Sequence, residues 1–129
     1  MRSLLAAMLL VAFAGALTGA SPADCRMHLH EKVALLGGMD DPEVFVWDSR
    51  FRLAAYQTGT YDVAKSLLPH AWVIPPGTRA IVIACVPNFV HPRYRGFTDD
   101  ALGIIMLNGP YRGRSGWVMS RDLRRMGSR

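Results

Sequence analysis

Two groups of arginine and tyrosine carry the side chains best suited to hold a ligand. They are Arg93-Tyr94-Arg95, and Tyr111-Arg112 with Arg114 close behind. A guanidinium is a planar, permanently charged fork that can clamp an anion, and both it and a tyrosine ring can stack on a planar group. These six residues are the expected ligand-binding surface. Bond-breaking chemistry is less well provided for. A hydrolase needs a nucleophile, a base within hydrogen-bond reach and something to hold developing charge. The candidate bases are His70 and His91, each beside a proline, and the candidate nucleophiles are the serines Ser49, Ser66, Ser115 and Ser120. None of these serines stands in a nucleophile-elbow pattern, and no phosphate loop or dinucleotide fingerprint is present. Catalysis and cofactors are therefore not expected. His28 and His30 near Cys25 have the ligand types of a zinc site, but no second dense cluster of ligands accompanies them. Asp40, Asp41 and Glu43 lack the further ligands of a calcium loop and read as exposed turn residues. No metal is expected.

The chain has two cysteines, Cys25 and Cys85, which allow one bridge and leave no thiol over. A loop of that size contributes about 4 kcal/mol in the chain-entropy model.

The elements that must position these residues centre on Ala101–Leu123. Ile104–Leu107 is a short apolar run ended by Asn108-Gly109-Pro110, the pattern of a buried strand. Gly116–Ser120 supplies its partner. Pro110 fixes a first turn position, while Gly113 and Gly116 provide positive φ or close backbone approach, at a turn and at a bulge. Ser120–Leu123 reads as one helical turn capped by Ser120. Upstream, Arg79–Val86 is a strand apolar on both faces, and Pro87–Asp100 is a long loop carrying His91 and Arg93-Tyr94-Arg95. Lys32–Leu36 and Val44–Trp47 read as strands. Phe51–Tyr56 reads as a third, because polar and apolar residues alternate from Arg50 to Leu53. His28 and His30 are spaced to share one face of an extended segment. Tyr61–Leu68 is the helix, capped by Thr60 or Asp62, ended by Pro69, and inserted in a long first loop. Trp72 suits core packing and ligand stacking alike.

Gly109-Pro110-Tyr111-Arg112-Gly113, then Gly116-Trp117-Val118 and Asp122-Leu123, resembles the distal hairpin and closing turn of bacterial SH3-like domains. The same stretch is similar to the KOW motif of ribosomal and transcription-elongation proteins. Pro75-Pro76-Gly77-Thr78 leading into Arg79–Cys85 resembles the diverging turn and second strand of the SH3-like fold. Together these pieces cover about a third of the chain. The resemblance implies a mainly β, small SH3-like barrel with one short inserted helix, and a binding role. Peptide-binding members carry a tryptophan opening the third strand and a proline in the closing turn. Here Ile104 and Ile105, and Ser120 or Arg121, occupy those places, which points away from proline-rich ligands.

Ahead of this, Arg2, the apolar run Leu4–Leu17 and the small residues Thr18-Gly19-Ala20 read as a signal peptide cut after Ala20. The apolar run is short for a membrane span, which needs roughly 20 residues. The expectation is a signal peptide over 1–20 and a single SH3-like β-barrel domain over 21–129, exported to the periplasm or beyond. No membrane span is expected in the mature chain. Export favours the disulfide. The net charge of +5 is uneven: from Arg93 onward there are eight arginines and three aspartates. Such a basic surface steers anionic partners. The leading expectation is a non-catalytic binding module for a cell-wall component or an envelope protein. The alternatives are a small secreted hydrolase using His91 or His70, and a KOW-type nucleic-acid binder. Nucleic acid is not expected for an exported chain, and the sequence does not fix the oligomeric state.

Overall fold

Apolar alternation, interrupted by glycine and proline, yields seven strands among the described residues. In a computed structural model, which describes residues 25–90 and 99–126, they are β1 (Lys32–Leu35), β2 (Val44–Trp47), β3 (Ala71–Ile74), β4 (Arg79–Val90), β5 (Asp99–Met106), β6 (Ser115–Met119) and β7 (Leu123–Arg125). All neighbours are antiparallel, in the order β3-β2-β6-β5-β4-β1-β7. The sheet curls into a mainly β half-barrel with two short helices. The expected signal peptide lies outside the described residues.

The curled sheet buries side chains on both faces. Val33, Leu35, Val46, Ile74, Val82, Leu102, Ile104 and Val118 are fully buried in the concave core. Each such side chain contributes about 2 kcal/mol through lost contact with water. On the outer face a second cluster joins Trp47, Ala101 and Met119 to Leu53 of a covering helix. β5 sits between these layers, so every residue but Ile105 is buried.

Two corrections concern the helices. Phe51–Tyr56 is not a strand but the middle of helix α1 (Arg50–Thr58), so the described residues hold two helices against the one expected. Ser49 explains the difference. Its hydroxyl accepts the Arg52 amide at 3.2 Å, an N-cap bond, and Arg52 reaches back to Asp48 at 2.6 Å. An alternation of four residues is too short to tell a strand from a helix that buries one residue, here Leu53. Tyr56 anchors the helix, with its ring 4.8 Å from Trp47 and 5.8 Å from Phe45. Burial holds its phenol above the ordinary range, and the carboxylates of Asp41 and Asp122 add to the effect.

Helix α2 (Tyr61–Leu67) is found where expected, and Thr60 is its cap, accepting from Val63. A 3-10 turn, Leu68–His70, carries the chain into β3. The two helices lie between β2 and β3, which pair with each other from Val44↔Ile74 to Trp47↔Ala71.

The hairpin strands are longer than the apolar pattern suggested. β4 continues through Pro87 to Val90, and β5 begins at Asp99 rather than Ile104. Two buried acids account for the second extension. Asp99 accepts the Ser120 hydroxyl, the Asp100 amide at 2.9 Å and the Arg121 amide at 3.3 Å. Asp100 accepts the amides of Arg26 and Asn88, each at 3.0 Å. Ser120 is therefore no cap for the 3-10 turn Ser120–Asp122; its hydroxyl is spent on Asp99. Gly116 is not at a bulge either, since the irregular registers fall in β4, at Val82/Ala84 and Val86/Val90. The segment at His28 and His30 is a turn and not extended, with His30 in the left-handed region at φ 68°.

Cys25 and Cys85 are bridged, with their Cα atoms 6.4 Å apart, so the first described residue is tied to β4. Asp100 fastens the same segment through the amide beside Cys25. Replacing Asp100 by alanine strands two amides in a part-buried place, and the expected loss is about 2 kcal/mol. Chemical denaturation of the variant against the parent measures it. A midpoint within error of the parent would show that the two amides find other partners.

Candidate binding surface at the β5–β6 turn

The turn from Leu107 to Arg114 is built by two glycines in the left-handed region, Gly109 at φ 80° and Gly113 at φ 85°. The backbone closes on itself. Gly113 donates to Met106 at 2.8 Å, Arg114 to Tyr111 at 3.0 Å, and Met106 to Arg114 at 3.0 Å. Asn108 pins the turn to β4 by accepting the Arg79 amide at 2.9 Å. This rigid loop holds Tyr111 half-buried against the concave core and leaves Arg112 and Arg114 exposed.

The structure places Trp72 beside them. Its ring centroid lies 6.2 Å from that of Tyr111, tilted by 40°, and the Arg114 guanidinium lies over the Trp72 ring at 5.9 Å. Trp72 faces the core from edge strand β3 and is only half-buried, so it serves packing and surface together. The result is a cation-bearing aromatic patch in which a ring and a guanidinium present stacking faces.

Nothing local in the sequence groups Trp72 with these arginines. β3, which carries Trp72, is hydrogen-bonded to β2 and not to β6, whose entry turn carries Tyr111 and Arg114. The available signal was the placement of Trp72 and Ile74 two apart, which puts both on the inner face of one strand.

Arg93, Tyr94, Arg95 and His91 lie outside the described residues. Their segment joins Val90 to Asp99, which pair at one end of the β4–β5 ladder, whereas the turn follows the other end. β5 is eight residues long, so the two attachment points are separated by roughly 25 Å.

His70 is exposed, with Nδ1 3.8 Å from an Asp48 oxygen that also takes the Arg52 guanidinium. The Ser49 hydroxyl accepts the Arg52 amide, Ser66 donates to the Val63 carbonyl, and Ser120 donates to Asp99. Ser115 is exposed at the start of β6. Asp40, Asp41 and Glu43 are exposed in the β1–β2 connection. No helix among the described residues is long and apolar enough to cross a membrane.

Comparison with protein-family models, curated proteins and solved structures finds no match.

Proposed function

We propose that the chain is an exported, non-catalytic binding module of SH3-like type, stapled by the Cys25–Cys85 bridge. Its ligand is a cell-wall component or an envelope protein, held at Tyr111, Arg112 and Arg114, with Arg93, Tyr94 and Arg95 as a second part of the surface. The observation that supports this reading is the stack of Arg114 and Tyr111 on Trp72, half-open to solvent on a turn fastened by backbone bonds. A rigid aromatic anchor flanked by cations is the usual composition of a binding hot spot.

The test is capture of partners from an envelope extract on the oxidised protein. Arg112→Glu with Arg114→Glu lowers capture by about tenfold or more while the melting temperature stays within about 2 °C, as expected for exposed positions. Equal capture by parent and variant removes the turn from the binding surface.

The approach of His70 to Asp48 supports a second reading, a hydrolase with His70 as base. Loss of a hydrolytic activity in His70→Ala, with the fold intact, would favour it over the first.

A further inference from the structure

The helices cover the outer face of the sheet only over β2, β6 and the adjoining ends of β4 and β5. The rest of that face, across β1, β4 and β5, has no described element packed over it. Register fixes which side chains it presents. Lys32 pairs with Ile81 and Ile81 with Ile105, while Ala34 pairs with Arg79 and the Leu107 amide bonds the Arg79 carbonyl. Inward-facing Ala80 and Val82 are fully buried, which puts Arg79 and Ile81 outward. Two cross-strand rows of aliphatic and cationic side chains result, with no carboxylate in either. Glu31, which adjoins β1, is engaged by Arg125 at 3.1 Å.

At the margin of these rows Lys32, Arg79, Leu107, Asn108 and Met126 line a depression of about 260 Å³. Leu107 and Met126 remain 37% and 41% exposed, high for large apolar side chains on a small domain. Asn108 has its carbonyl oxygen committed to the Arg79 amide, which leaves its side-chain NH2 group as a donor at the rim.

From this arrangement we infer that the open outer face is a docking surface for an anionic phospholipid bilayer. A headgroup phosphate settles between Lys32 and Arg79. Leu107, Met126, Ile81 and Ile105 meet the boundary of the acyl chains. Charge complementarity selects an anionic partner, and the composition of the face selects lipid over an acidic protein. Protein hot spots are rich in tryptophan and tyrosine, which the two rows lack. Aliphatic side chains interleaved with cations whose stems lie along apolar surface are what an interfacial site uses. This face lies on the other side of the sheet from the inward-facing Trp72 patch and shares with it only the start of the turn, Leu107 and Asn108, so Lys32→Gln with Arg79→Gln and Arg112→Glu with Arg114→Glu test the two inferences apart.

The experiment is co-sedimentation of the oxidised protein with vesicles of phosphatidylglycerol and phosphatidylcholine, and with phosphatidylcholine alone. Binding to the anionic vesicles that weakens as salt rises is expected, with little to the neutral ones. Lys32→Gln with Arg79→Gln lowers the partition coefficient by about thirtyfold, the effect of two cations near an anionic surface. Leu107→Ser with Met126→Ser lowers it severalfold at unchanged charge, which a purely electrostatic attraction would not show. Lys65→Glu, a charge change on exposed helix α2, leaves it within about twofold. Equal binding to both vesicle types, no binding at all, or binding insensitive to both double variants overturns the inference. Competition by soluble glycerol phosphate at matched ionic strength, with no dependence on Leu107 and Met126, would reduce the site to a free-phosphate site. Self-association through this face, seen by sedimentation and lost in the serine variant, would assign it to a second copy.

Discussion

Reduction of the Cys25–Cys85 bond lowers the stability of the fold by about 4 kcal/mol, and the melting temperature falls by roughly 20 °C. The bridge closes a loop spanning 60 residues. Most of its effect lies in the unfolded chain, which loses the freedom to separate those two points. A domain of this size has little reserve, since a fold of about 100 residues is stable by only some 5–15 kcal/mol. In the folded state the segment at Cys25 keeps other attachments: Asp100 holds the Arg26 amide, and the Arg125 guanidinium bonds the Arg26 carbonyl. The reduced protein therefore folds at low temperature and melts early. Melting with and without reductant, set beside a Cys25→Ala/Cys85→Ala variant, measures the effect. Coincident curves would show that the bridge adds nothing beyond those hydrogen bonds.

Gly116→Ala costs about 3 kcal/mol, the upper part of the range for overpacking a core. A Cβ at Gly116 would overlap the Val46 side chain, lie 2.9 Å from the Trp47 carbonyl oxygen and 3.1 Å from the Trp72 ring. Val46 is fully buried and stiff at χ1, and the carbonyl belongs to β2, so neither gives way cheaply. β2 and β6 are joined at one registered pair, Trp47↔Trp117, so the added methyl acts on the seam itself. Gly38→Ala is the control, for a Cβ there meets nothing within 4 Å. Its expected change is within about 0.5 kcal/mol. All three tryptophans, Trp47, Trp72 and Trp117, stand at this seam, so fluorescence reports its opening directly. An unchanged spectrum and midpoint in Gly116→Ala would mean that the added methyl is accommodated without opening the seam.

Much of the fold was legible where local pattern and burial agree. The apolar run after Arg79, the turn at Gly109 and Gly113, and the helix after Thr60 follow from residue type within a few positions. Cys25 and Cys85 could be paired because no other cysteine exists. Three features were not legible. Helix α1 is hidden because Arg50–Leu53 alternates over one short stretch, which a strand matches as well as a helix. The extension of β5 depended on Asp99 and Asp100, which look like loop residues until Ser120, Arg26 and Asn88 are folded against them. Trp72 needed the strand order, for its contacts with Tyr111 and Arg114 cross about 40 residues of chain. In the last two cases the deciding partner is distant in sequence, whereas in the first it is the local cap at Ser49.

The joint between β2 and β6 divides the molecule into a leaf, residues 44–74, and a frame made of the other five strands. Trp72 grows from the leaf, whereas Tyr111 and Arg114 grow from the frame. Whatever rests on all three therefore bridges the two parts, adding to the Leu53 packing and the Gln57–Arg121 bond that already join them, so occupancy and stability rise as one.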